Sequence, residues 1–223
     1  MWMNRPSRLA LACVCLLASG CGDSTDELIA QLGQSDPEMR RAAARALGSQ
    51  PGDVSKAVAS LGGSLQDTDL EVRELAAESL GRIGSEAKSG LPALEVALQD
   101  PQSSVRLTAA RAIHKIDPHA PSYQPVLIEA LRAGDGTVFL EVGRMGADAK
   151  WAVPTLTELL SDRRAQIRAL AAHALGGIGP AARDADAALR RNVRDPEAAV
   201  RKAAQNALRQ VGSQSSTAAT TSR

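Results

Sequence analysis

The chain has 223 residues, 44% hydrophobic and 23% charged, which excludes a wholly disordered or collagen-like chain and suffices for one domain with its own core. A formal net charge of +1 leaves no global basic field, so no nucleic-acid partner is expected. Aromatic residues make up 2%, so the core must come from Leu, Ile, Val and Ala, and the many alanines favour helix over strand.

At the N-terminus, Arg5 and Arg8 precede an apolar stretch from Leu9 to Ala18. About ten apolar residues are too few to span a bilayer as a helix but have the length of a signal-peptide core. The following Leu17-Ala18-Ser19-Gly20-Cys21 resembles a bacterial lipobox, although Ala18 stands where leucine is usual. The resemblance implies a signal peptide over 1–20, cleavage before Cys21, diacylation of its thiol and a short tether over 21–25. It also implies a lipid-anchored protein of the bacterial cell envelope, facing the periplasm or exterior. Gly22, where inner-membrane retention would use Asp, leans the address toward the outer membrane. An ordinary secretory signal with a chance cysteine is the other reading. Cys13, Cys15 and Cys21 are the only cysteines, so signal removal would leave one, with no internal disulfide and no cysteine metal site. It would also leave 24 basic against 25 acidic residues.

The remainder repeats. Met39-Arg40, Val72-Arg73, Val105-Arg106, Ile167-Arg168 and Val200-Arg201 each open a run of small residues ending in Leu or Ile. Successive arginines lie 33 residues apart, except that Arg106 to Arg168 is 62, room for a copy about four residues short. Gly143-Arg144-Met145-Gly146 marks that copy by its match to Gly81-Arg82-Ile83-Gly84; Gly134-Asp135-Gly136 replaces its Val-Arg pair.

Each copy predicts two helices. Helix A is expected to open at Asp36-Pro37, Asp100-Pro101 and Asp195-Pro196, where Asp can cap free N–H groups and Pro suits the first position. It should stop at Gly84, Gly146, Gly179 and Gly212. Helix B follows, as in Leu91–Leu98, Pro125–Leu131 and Val153–Leu160, with apolar spacings of three, four and seven that bury one face. No stretch alternates with period two, so no strands are expected. Leu28 and Leu32 match Leu61 and Leu65, predicting a half repeat that caps the N-terminal end. Residues 213–223 carry no apolar period and are expected to be disordered.

The recurring Asp-Pro-x-x-x-Val-Arg-x-x-Ala-Ala-x-Ala-Leu-Gly pattern resembles HEAT-like repeats, particularly the short type of phycobilisome lyases, over residues 26–212. The resemblance implies an all-α solenoid of about five to six stacked helical hairpins, with A helices outside and B helices lining a concave face. One helix pair cannot bury its apolar face alone, whereas stacked neighbours bury it jointly.

The five repeated arginines admit two readings. They form an anion-binding stripe, or a structural ladder in which each pairs with a nearby Asp67, Asp100, Asp162 or Asp195. No catalytic motif appears, and no cofactor or metal is expected. His114, His119 and His173 lack metal partners at helical spacing. HEAT-like repeats also occur in deoxyhypusine hydroxylase, but its His-Glu dipeptides are missing here. On helix B the candidate partner-binding residues are Glu95, Glu129 and Glu158, then Arg190 and Arg191 toward the C-terminal end. Tyr123 and Trp151 begin two B helices beside the irregular copy, as binding anchors or as filler of the shortened repeat. Two functions survive. One is a non-enzymatic scaffold binding a protein or peptide in its groove. The other is a bilin-lyase-like protein that binds or transfers a tetrapyrrole.

Overall fold

A computed structural model describes residues 24–49 and 52–212; the expected signal peptide, Cys21 and the 213–223 tail lie outside the described residues. Within the described residues the chain forms twelve α-helices and no strands, in two alternating layers. One layer holds the A helices: α2 (Pro37–Leu47), α4 (Leu70–Ile83), α6 (Ser103–Ile116), α8 (Gly136–Arg144), α10 (Ala165–Ile178) and α12 (Ala198–Val211). The other holds the B helices: α1 (Thr25–Leu32), α3 (Val54–Ser64), α5 (Leu91–Ala97), α7 (Gln124–Ala133), α9 (Val153–Leu159) and α11 (Asp186–Asn192). Five A–B hairpins are thus flanked by single helices. Leu28 of α1 is buried and Leu32 packs on the same core, as the half repeat predicts.

Small residues let the A helices approach closely. A Cβ on Gly81 would lie 2.9 Å from Ala112 Cα, and one on Gly177 would lie 2.5 Å from the Gly143 carbonyl oxygen. Ser79, buried in this layer, donates to the Ala44 carbonyl at 2.8 Å. Leu47, Leu61, Leu80, Leu94, Leu127, Leu156, Leu175 and Leu189 fill the space between the layers.

Two helix boundaries differ from expectation. Asp36 and Pro37 do open α2, with the Glu38 N–H donating to Asp36 Oδ1 at 2.9 Å. Asp100 and Asp195 instead stand before their helices, which begin at Ser103 and Ala198. Each carboxylate accepts from the N–H two residues on, Gln102 at 2.8 Å and Glu197 at 2.9 Å, closing a turn ahead of the helix. At the other ends, Gly84, Gly146 and Gly179 have φ of 73°, 60° and 71°, conformations glycine adopts without steric cost, whereas Gly212 is right-handed at −87°.

The stack is uneven. Helix α4 packs closely on α2 and α6, and α10 on α8 and α12, but α6 and α8 make at most marginal backbone approach. Side chains span that seam: Arg111 Nε donates to Glu141 Oε2 at 2.8 Å and Arg111 Nη2 to Thr137 Oγ1 at 3.1 Å. An open cleft of about 580 Å³ lies there, lined by Arg111, His114, Thr137, Leu140, Glu141, Arg144 and Met145.

Candidate binding site

The repeated arginines form a ladder through the stack. Arg40 Nε and Nη2 both donate to Asp67 at 2.8 Å. Arg73 grips Asp100 with the same two nitrogens at 2.8 and 3.3 Å, and Arg168 grips Asp195 at 2.8 Å twice. Each acid lies 27 residues beyond its arginine, in the next repeat. The third nitrogen, Nη1, donates in all five arginines to the carbonyls six and five residues upstream: Gln34 and Ser35, Asp67 and Thr68, Asp100 and Pro101, Asp162 and Arg163, Asp195 and Pro196. A guanidinium held by two carbonyls and facing a carboxylate with its free edge is oriented before any pair forms.

In three rungs, then, the arginines serve the structural ladder. The short fourth repeat interrupts it. Position 133, 27 residues beyond Arg106, is alanine, and position 135, 27 residues before Asp162, is aspartate. Asp162 therefore pairs within its own loop with Arg164, whose Nε and Nη2 donate at 3.0 and 2.9 Å. That contact holds the Asp162 carboxyl down at about 2. Arg106 keeps its two carbonyl anchors, but its only carboxylate contact among the described residues is from Nη2 to Glu129 Oε1 at 3.2 Å, with the Glu129 side chain 66% exposed. A cleft of about 330 Å³ opens beside Arg106, lined by Ser103, Leu107, Val126, Glu129, Ala130, Ala133 and Asp135, and a corresponding cleft of about 390 Å³ lies beside the intact Arg73–Asp100 rung.

The expected B-helix residues Glu95, Glu129, Glu158, Arg190 and Arg191 are all exposed. Glu129 reaches Arg106 of the A layer, Arg132 Nη2 donates to Glu158 at 3.4 Å, and Arg190 Nε donates to Asp186 at 2.6 Å along α11. At Arg106 an arginine of the A layer thus meets one of these acids.

The exposed-anchor reading of Tyr123 is corrected. The residue is wholly buried, so its ring is not available as an exposed anchor. Its hydroxyl donates to the Pro118 carbonyl at 3.0 Å, and its ring stands edge-on to His114 at 5.2 Å and to Trp151 at 6.0 Å. Burial pushes the Tyr123 phenol above its ordinary value, opposed by the neighbouring indole. Trp151 is half-buried against the core, its Nε1 without an acceptor in hydrogen-bonding geometry. Tyr123 thus packs between His114 of α6 and Trp151. His114 stands where most other A helices carry glycine, and burial lowers its pKa against the opposing pull of Glu141 and Asp148. It is half-buried rather than solvated.

A profile of HEAT repeats matches residues 25–89, 65–145 and 153–220. No curated protein matches the chain. Among solved structures, an engineered protein is similar at 25% identity and TM-score 0.56, covering 86% of this chain and 98% of its own. The complex of CpcE and CpcF of phycocyanin lyase from Nostoc sp. PCC7120 aligns at 24% identity and TM-score 0.54, over 88% of this chain and 80% of that one. A designed armadillo repeat protein in complex with the peptide (KR)4 aligns at 20% and 0.51, over 85% and 100%.

Proposed function

The chain belongs to the HEAT-repeat family, and from that premise we propose that it is an exported scaffold, anchored by lipid on Cys21, that holds a protein or peptide along its B-helix face. The observation that carries this reading is the division of labour between the layers. Three of the five repeated arginines are consumed by the ladder, whereas the B helices present Glu95, Glu129, Glu158, Arg190 and Arg191 exposed to solvent. A row of side chains on successive parallel elements can engage an extended chain at several points at once. The acids at positions 95, 129 and 158 favour basic side chains on that part of the B-helix face. A peptide of Lys and Arg is bound by the designed armadillo protein, whose likeness to this chain is one of fold. Lipid anchoring rests on the lipobox-like sequence before Cys21. Two acyl chains give stable membrane binding where one does not.

Two measurements test the proposal. Cys21→Ser should move the protein from the membrane to the soluble fraction; retention in high salt would place the anchor elsewhere. A Glu95→Lys, Glu129→Lys, Glu158→Lys triple variant should keep its helical circular dichroism and lose at least tenfold in affinity for a partner crosslinked from membranes. Single reversals should act mainly on the association rate and its salt dependence. Unchanged affinity in the triple variant would remove the B-helix face from the reading. Visible absorbance acquired with an added bilin would favour a tetrapyrrole-binding role instead.

A further inference from the structure

We propose that the broken rung at Arg106 is a carboxylate-binding site, completed by an acidic side chain of a partner protein inserted between α6 and α7. Arg40, Arg73 and Arg168 show what this guanidinium is built to hold: Nη1 is fixed on two backbone carbonyls, and Nε and Nη2 grip one carboxylate. Arg106 has the same two anchors, at 3.0 and 3.2 Å, so its orientation is set in advance. Ala133 stands where the other rungs place an aspartate, and Arg106 lines a cleft of about 330 Å³ there; the corresponding cleft beside Arg73 carries Asp100 on its wall. Leu107, Val126 and Ala130 supply apolar walls for the methylenes of a Glu or Asp stem. Ser103 and Ser104, also lining the cleft, bring hydroxyls that can donate to a carboxylate.

Two resident acids bear on the site. Asp135 is already engaged, accepting from the Thr137 N–H at 2.9 Å and its hydroxyl at 2.7 Å as the cap of α8. Glu129 competes through a single exposed contact, weaker than a bidentate grip. A basic partner side chain that draws Glu129 away would release the Arg106 edge, so one partner can present a cation and an anion to neighbouring positions. This inference rests on the peptide-scaffold reading only for the source of the carboxylate, and the arms of the test separate the two.

The first arm uses acetate, with the Arg106 Nε–Hε resonance as readout and chloride at equal ionic strength as control. Acetate should shift that resonance saturably and leave those of Arg40, Arg73 and Arg168 in place. Glu129→Gln should tighten the response severalfold, and Ala133→Asp, which restores an internal acid, should abolish it. Absence of a saturable shift, or an equal response in Ala133→Asp that retains the wild-type helical signal, overturns the site. The second arm uses a labelled, capped Glu-containing peptide and its Gln analogue. The Glu peptide should bind at least fivefold tighter, and Arg106→Lys, which keeps the charge but loses the bidentate edge, should erase the preference. Equal binding of the two peptides by a protein that binds acetate overturns the protein side chain as the source while leaving the B-helix reading to its own test.

Discussion

At the scale of single residues, carboxylates paired with arginine, within the ladder and beside it, make stability depend on their staying ionised. Arg164 holds Asp162 at about 2, and Arg41 holds Asp69 at about 2. Arg168 lowers Asp195, while at Asp67 burial works upward and is outweighed by Arg40 and the Asp69 N–H. A folded-state pKa below the unfolded value of about 3.9 means stability fully present above that value and lost as pH falls through the folded pKa. His114 acts in a higher window. Its lowered pKa means that the unfolded chain takes up a proton first, so stability begins to decline as pH falls below about 6.5. Melting temperature should therefore be flat above pH 7, decline gently to pH 5 and collapse below pH 4. His114→Gln should remove the gentle decline and leave the collapse; a wild-type profile flat down to pH 3 would contradict both assignments.

At the scale of the helix, the same substitution should act with opposite sign at two glycines. Gly63 lies exposed near the end of α3, and a Cβ there meets nothing within 4 Å. Gly63→Ala should stabilise by about 0.5–1 kcal/mol, the usual helical preference of alanine over glycine. Gly177, inside α10, faces the Gly143 backbone of α8, with the carbonyl oxygen 2.5 Å and the carbonyl carbon 2.9 Å from an added Cβ. Backbone cannot rotate away as a side chain can, so Gly177→Ala should destabilise by about 1–3 kcal/mol through overpacking. Urea unfolding of the two variants checks the pair; stabilisation at both sites would mean that α8 and α10 do not approach so closely.

At the scale of the whole molecule, the seam between α6 and α8 divides the stack. On either side of it the A helices pack closely, whereas the seam itself depends on Tyr123, the Arg111–Glu141 pair at 2.8 Å and the helices α7 and α9. In a quasi-one-dimensional protein each repeat is stabilised by its neighbours, so one poor interface lowers the free energy of local opening there. Gly143, inside α8, adds about 1 kcal/mol of helical disadvantage relative to alanine. Amide hydrogen exchange should be fastest, among helical segments, over residues 132–146, with α4 and α10 protected longest. Uniform protection along the stack would remove the seam as a weak joint.

The order of A and B helices, the repeat period and the break in the fourth copy were all legible in the sequence. Each depends on interactions inside one repeat: apolar spacing, turn glycines and a run of small residues that recur every 33 positions. The ladder was legible as one of two alternatives for the same reason, because a residue that recurs in every unit serves the stacking every unit shares. What only the tertiary structure decided lies between repeats. Loss of about four residues brings Ala133 to the ladder-acid position of Arg106 and Asp135 to the ladder-arginine position of Asp162, so Arg106 is left with a single contact to Glu129 and Asp162 turns to Arg164. The Gly134-Asp135-Gly136 replacement was visible, but its effect depends on which side chain the neighbouring repeat brings within reach. Tyr123, which could as well have been an exposed anchor, is buried with its ring edge-on to His114 of α6 and to Trp151. A one-dimensional pattern specifies which face of a helix is apolar; how far neighbouring helices separate, and hence what must fill the gap, is set by their packing in three dimensions.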